Sequence, residues 1–122
     1  MPERREHRRL QAPVLVEFID PYTGKPERSF THDVSISGMR FPTAVQFQVG
    51  QEVPFALDLT SEQPPFRTTG RVIWIREVAR LGATQYDVGV RFHWVEDPDL
   101  QRLSSFLTPR LSASSFPSSS QA

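Results

Sequence analysis

The sequence predicts a mainly all-β chain, folded as a small antiparallel barrel of about six strands with one short C-terminal helix packed against it. Three observations carry this expectation. Apolar and polar residues alternate in several short runs, the period of a strand with one buried face. Eleven prolines, many of them between apolar runs, favour many short strands over long helices. Helical spacing of apolar residues recurs in one place only, close to the C-terminus.

In chain order, Val14, Val16 and Phe18 open a first strand that ends in the turn-rich cluster Asp20-Pro21-Tyr22-Thr23-Gly24. A second strand is expected from Arg28 to Val34 and a third from Gly38 to Phe41. Val53, Phe55, Leu57 and Leu59 share one face of a fourth, opposite Pro54, Ala56, Asp58 and Thr60. Val72-Ile73-Trp74-Ile75 is a continuous apolar run, which predicts a fifth strand covered at least partly on both faces. In the sixth, Val88, Val90, Phe92 and Trp94 lie on one face, with Gly89, Arg91 and His93 on the other. The helix follows. Asp97 is a natural N-cap, Pro98 suits the first helical position, and Asp99 favours the positive end of the helix dipole. Leu100, Leu103, Phe106 and Leu107 then recur at helical spacing, and Pro109 is expected to stop the run. Closure of the barrel would remove exposed strand edges.

The organisation expected is an arginine-rich arm over 1–11, a barrel with its helix over 12–110, and a disordered serine-rich tail over 111–122. A chain of 122 residues fits one domain, and 38% hydrophobic with 23% charged residues is a globular composition. Fourteen basic residues balance fourteen acidic ones, which argues against a general nucleic-acid binder. The absence of cysteine excludes disulfides, thiol nucleophiles and cysteine-ligated zinc. No apolar run approaches the roughly 20 residues of a membrane span, and the N-terminus has no apolar signal core, so the expected location is the cytoplasm. The three histidines are scattered at positions 7, 32 and 93, which speaks against a metal centre.

Two segments carry chemistry. In the arm, Arg5 and Arg9 are four apart, and Arg4 and Arg8 repeat that spacing one position earlier. In an extended chain such a pair projects to one side. Guanidinium groups bind phosphate bidentately, stack on bases and match the O6/N7 edge of guanine. Taken alone, the arm reads as readily as a solvated basic terminus. The second segment is Asp33-Val34-Ser35-Ile36-Ser37-Gly38. Asp33 and Ser35, two apart, face the same way, and a carboxylate there can accept hydrogen bonds from guanine N1–H and its exocyclic amine. Gly38 would allow positive φ or close backbone approach by a ligand. Taken alone, this too is an ordinary turn composition.

In this order and spacing the two segments mean more. Arg5-Glu6-His7-Arg8-Arg9 followed by Leu10, and then Asp33-Val34-Ser35-Ile36-Ser37-Gly38 followed by Met39-Arg40-Phe41, give an RxxxR and a DxSxxG motif. With Gly70-Arg71-Val72-Ile73-Trp74 and Val88-Gly89-Val90-Arg91-Phe92 resembling its later strands, the chain resembles the PilZ domain family over nearly its whole core. The resemblance implies a six-stranded barrel that binds the bacterial second messenger bis-(3′,5′)-cyclic dimeric guanosine monophosphate, cyclic di-GMP. It implies ligand binding by Arg5, Arg9, Asp33, Ser35 and Gly38, with Arg4 as the extra arginine that often precedes the first motif. Arg8, Arg40 and Trp74 are further candidates, Trp74 as a stacking wall or as a core residue. Arg71 and Arg91 could extend a basic rim, although solvated strand-face charges are the commoner explanation. With no partner domain in this sequence, output is expected from the module itself.

The mechanism expected is an arm kept mobile by its own charge, pinned by a dianionic ligand, and so remodelling a surface for a downstream protein partner. No cofactor, no metal, no nucleic acid and no membrane insertion enter it. A catalytic reading of His32, Asp33 and Ser35 is weak, because neighbours in a strand face opposite ways. The sequence also lacks a nucleophile elbow, a glycine-rich phosphate loop and HExxH. The remaining alternative is an interaction scaffold of the same fold that binds no nucleotide.

Overall fold

A computed structural model describes residues 9–11, 13–60, 63–94 and 97–115. It contains strands β1 (Leu15–Ile19), β2 (Pro26–Phe30), β3 (Asp33–Val34), β4 (Gly38–Thr43), β5 (Glu52–Asp58), β6 (Phe66–Arg80) and β7 (Ala83–Trp94), then helix α1 (Asp97–Ser115). The strands form one curled antiparallel sheet in the order β2-β1-β5-β6-β7-β4-β3.

The barrel-like antiparallel sheet with a C-terminal helix is the architecture the alternation predicts, with seven strands in place of six. The extra strand comes from a corner. The stretch expected as one strand from Arg28 to Val34 divides at Thr31-His32 into β2 and β3, the two outermost strands of the sheet. Thr31 N donates to Val14 O at 3.0 Å, while His32 N donates to Arg40 O at 2.7 Å. Adjacent backbone amides thus serve opposite edges of the curled sheet, and both find acceptors. The Thr31 hydroxyl also accepts from Val14 N at 3.0 Å. A chain that serves two edges in succession has to bend between them.

The inward faces fill the core. Phe18 on β1 packs its ring against Phe41, Phe47 and Phe55 at centroid distances of 5.7, 5.4 and 5.7 Å. At the other end Phe66 and Phe92 meet edge to face at 5.8 Å, and Leu103 and Leu107 of α1 are buried in the same cluster. Each fully buried side chain of this kind contributes roughly 1.5–3 kcal/mol. The side chains of Trp94 and Leu100 lie outside what the structure describes.

Three expectations need correction. The apolar run Val72–Ile75 is not covered on both faces. Val72 pairs with Val90 and Trp74 with Gly89, so Ile73 is the extra residue of a β-bulge. Val72 and Ile75 point inward, whereas Ile73 and Trp74 are 43% and 37% exposed. Pro109 does not end the helix, which continues to Ser115 through the start of the segment expected as disordered tail. Proline deprives the carbonyl one turn back of its donor. The carbonyl so deprived is that of Ser105; the next one, Phe106, accepts from Arg110 Nη1 at 2.7 Å, with the guanidinium 3.8 Å over the Phe106 ring.

The third difference is the length of the β6–β7 hairpin, which closes through Leu81 (φ 52°) and Gly82 (φ 78°). Two consecutive positive φ values make the tight turn that matches strand twist, a turn that favours Asn-Gly. Leu81 gives no such signal in the sequence. It stands in the left-handed region with its side chain fully solvent-exposed, a conformation that costs a residue of its type roughly 1–2 kcal/mol. Leu81→Asn is therefore expected to stabilise the fold by about 1 kcal/mol and raise Tm by roughly 4 °C. Urea and thermal unfolding of the two proteins measure this; an unchanged or lower midpoint would refute the strain.

Candidate ligand-binding cleft

Asp33 and Ser35 face the same way, as their spacing predicts, and the described end of the arm meets them. Leu10 and Val34 exchange two backbone hydrogen bonds, Leu10 N to Val34 O at 2.7 Å and Val34 N to Leu10 O at 3.0 Å. The arm thereby adds to the free edge of β3, and Arg9 lands beside the second motif. Arg9 Nε donates to Asp33 Oδ1 at 2.8 Å and Arg9 Nη1 to Ser35 Oγ at 3.2 Å. Arg40, the cross-strand partner of Asp33, donates from Nε at 3.1 Å and from Nη2 at 3.0 Å to the other oxygen. One carboxylate is bracketed by two guanidinium groups. Its side chain is 5% exposed, against 18% for Arg9 and 35% for Arg40. Charge-assisted hydrogen bonds of this kind hold both arginines in place.

Ser35 Oγ also accepts from Ser37 N at 3.2 Å and lies 3.1 Å from Ser37 Oγ, while Ser35 N donates to Gly38 O at 2.8 Å. Gly38 is not at positive φ. A Cβ at this position would stand 2.2 Å from the carbonyl oxygen of Val90. The close neighbour that excludes a side chain is thus strand β7, and this corrects the positive-φ expectation.

The outward row beyond Asp33 and Arg40 continues through Gly89 on β7 to Trp74 on β6. The indole lies on Gly89, where a Cβ would fall 2.2 Å from Nε1 and 2.3 Å from Cε2. The bulge at Ile73 turns Trp74 outward, and the bare backbone at position 89 gives it a seat. Trp74 is therefore not a core residue. The next row runs Gly38, Arg91, Arg71, Glu52. Arg9, Asp33, Arg40, Trp74 and Arg91 line a cleft of about 320 Å³. Three guanidinium groups against one carboxylate leave two positive charges among its described lining residues.

Arg4, Arg5 and Arg8, the other arginines expected at the site, lie outside the described residues. One contributor is not foreseen from the sequence, Gly89 as the seat of the indole, and Arg91, for which a solvated strand-face charge is the commoner expectation, lines the cleft. The alternation that puts Gly89 and Arg91 on one outward face was the available signal.

His32 and Asp33 do not converge. His32 Nε2 lies 3.0 Å from Asp87 Oδ1, and Arg76 Nη2 donates to Asp87 Oδ2 at 3.0 Å. Burial works to raise the Asp87 carboxyl, yet hydrogen bonds from Arg76 and His32 outweigh it and hold its pKa below the ordinary 3.8. This pair belongs to the β6–β7 hairpin and the β2–β3 corner, away from the cleft. Among the described residues no group of three or more His, Cys, Asp or Glu side chains could hold a metal ion, and no helix is long and apolar enough to cross a membrane.

A seated indole, a bracketed carboxylate and a surplus of guanidinium on a small curled sheet define a binding module. The PilZ domain profile matches residues 3–108, and the chain belongs to that family. No curated protein matches it by sequence. Solved structures of the same fold include the PilZ domain of YcgR from Escherichia coli with c-di-GMP, at TM-score 0.70 and 19% identity over 98% of this chain and 100% of that one. Another is the inhibitor of motility MotI/DgrA from Bacillus subtilis, at TM-score 0.72 and 18% identity over 91% of this chain and 52% of that one. A third is the MrkH–c-di-GMP complex of K. pneumonia, at 0.72 and 13% over 93% and 55%. The chain spans about half the length of the latter two. At these identities the likeness is one of fold.

Proposed function

We propose that this chain is a cyclic di-GMP receptor that acts as an adaptor and not as an enzyme. The observation that carries this reading is the cleft, with two uncompensated positive charges beside an exposed indole. Cyclic di-GMP offers two singly charged phosphodiesters and two flat guanines, so both features have a use. Family membership and the c-di-GMP bound to neighbours of the same fold support the same ligand.

In this reading Arg9 and Arg40 keep free N–H groups for phosphate or guanine, because Asp33 and Ser35 occupy only part of each fork. Asp33 fixes the two arginines and retains acceptor capacity for a guanine amine. Trp74 is the stacking surface. Ser35 and Gly38 hold the turn beneath. Arg5, with Arg4 and Arg8, supplies the upper side of the site from the arm.

The arm acts as the switch. The two Leu10–Val34 hydrogen bonds fix its described end beside the second motif. Neutralising four arginines lets them settle, and the altered surface is read by a downstream protein in the cytoplasm. Nucleic acid has no part, in keeping with a net charge of zero.

Calorimetric titration with cyclic di-GMP tests the reading. Saturable heat is expected; no heat and no chemical-shift change would leave an interaction scaffold that binds no nucleotide. Hydrogen exchange across residues 1–11 tests the arm separately. Slower exchange with ligand is expected, and unchanged exchange would remove the switch while leaving the receptor.

A further inference from the structure

Arg91 stands directly across the β6–β7 ladder from Arg71, a like-charge pair where sheets gain from opposite charges. The two arginines are not equivalent. Arg71 Nη2 donates to Glu52 Oε2 at 3.0 Å, and His93 Nε2 lies 3.7 Å from the same oxygen. The Arg71 hydrogen bond, with the charge of His93, holds the Glu52 carboxyl below its usual range. Glu52 is thus engaged on the side away from the cleft. Arg91 makes no hydrogen bond or ion pair with any described residue, is exposed, and lines the cleft. Arg9 and Arg40 differ from it again, because both are tied to Asp33.

We infer that Arg91 is the anchor for the second phosphate of the ligand and makes the cleft select a dinucleotide with two phosphates over one with a single phosphate. This rests on the reading of the cleft as a cyclic dinucleotide site. A guanidinium without a carboxylate partner breaks no ion pair when it takes up phosphate, and its fork is open for bidentate contact. It also gains more than an isolated cation would, because the phosphate relieves its repulsion from Arg71. Arg40 and Asp33 belong to the Gly89 row, next to the row of Arg91, and Arg9 and Arg40 share the one carboxylate of Asp33. Their combined charge matches one phosphodiester, and Arg91 matches the other.

The test compares two ligands on folded protein. Cyclic di-GMP carries two phosphodiesters, and linear guanylyl guanosine carries one. Arg91→Gln is expected to weaken cyclic di-GMP binding by about tenfold or more and to change guanylyl guanosine binding by less than about threefold. Discrimination between the two should shrink accordingly. Arg91→Lys, which keeps the charge and loses the fork, should fall between. Arg71→Gln should leave both affinities within about threefold. Thermal unfolding of Arg91→Gln should match or exceed the wild type, since a like-charge pair is removed.

The outcomes separate cleanly. Wild-type protein that binds neither ligand overturns the receptor reading, and this inference with it. Wild-type protein that binds cyclic di-GMP while Arg91→Gln binds it equally well overturns the role of Arg91 alone. Equal loss of both ligands in Arg91→Gln also overturns it, because a phosphate-counting residue cannot act on both alike.

Discussion

Gly38→Ala is expected to lose about 3 kcal/mol of folding stability, with Tm lowered by roughly 10 °C or more. The added Cβ would stand 2.2 Å from the Val90 carbonyl oxygen and 3.2 Å from Arg91 Cα. Both obstacles are backbone, so no rotamer change can relieve them. Strand β4 would have to draw away from β7 at the register Gly38↔Arg91, Met39↔Val90. The hydrogen bond from Phe92 N to Ser37 O, 2.8 Å long, would stretch or break. Overpacking alone costs up to about 3 kcal/mol, and the ladder adds to it. A binding assay on this variant therefore has to be read beside a urea unfolding curve. Loss of ligand affinity would report a displaced strand under the cleft and not a lost glycine–ligand contact. A variant within about 0.5 kcal/mol of the wild type would show that β7 can yield, and that the close approach is not what requires glycine there.

The sequence was most legible where a rule of period two operates. The inward faces of β1, β5 and β7 follow from alternation alone, and so does the convergence of Asp33 with Ser35. It was least legible where one residue breaks the period. The bulge at Ile73 converts an apparently two-sided apolar run into an outward pair, Ile73 and Trp74, and so creates the wall of the cleft. Hydrophobicity cannot reveal which residue of such a run is unpaired, because that depends on the partner strand. The Leu81-Gly82 turn was hidden for a related reason, since its first residue adopts a conformation its side chain disfavours. The division at Thr31-His32 depends on the chain passing from one edge strand of the curled sheet to the other, a long-range fact absent from any local window. Arg91 shows the limit for charges. An alternation pattern places it outward, but only the pairing of Arg71 with Glu52 leaves it without a carboxylate among the described residues.

Asp33→Asn separates two accounts of the carboxylate that the cleft otherwise runs together. If charge alone governed the site, removing the one negative group would leave three guanidinium groups unopposed and strengthen the attraction for a dianion. If Asp33 acts by placing Arg9 and Arg40, and by accepting from guanine, the same change weakens binding. The geometry favours the second account. Asp33 Oδ1 holds Arg9 Nε at 2.8 Å and Oδ2 holds Arg40 at 3.0 Å. An amide of the same shape has one acceptor oxygen, and its NH₂ would face a guanidinium. One arginine must turn away. Breaking a fully buried ion pair by removing one partner costs about 3–5 kcal/mol. Arg9 and Arg40 are 18% and 35% exposed, so water screens them, and a loss nearer 2 kcal/mol of stability is expected. Cyclic di-GMP affinity should fall at least tenfold, about 1.4 kcal/mol, in spite of the more positive cleft. Arg9→Ala measured in parallel should lose a similar factor, and the double variant little more than either alone, because both remove the same placement. Binding by Asp33→Asn as tight as the wild type, or tighter, would mean that the carboxylate only dilutes the charge of the cleft and that the bracketed pair is not what presents the arginines.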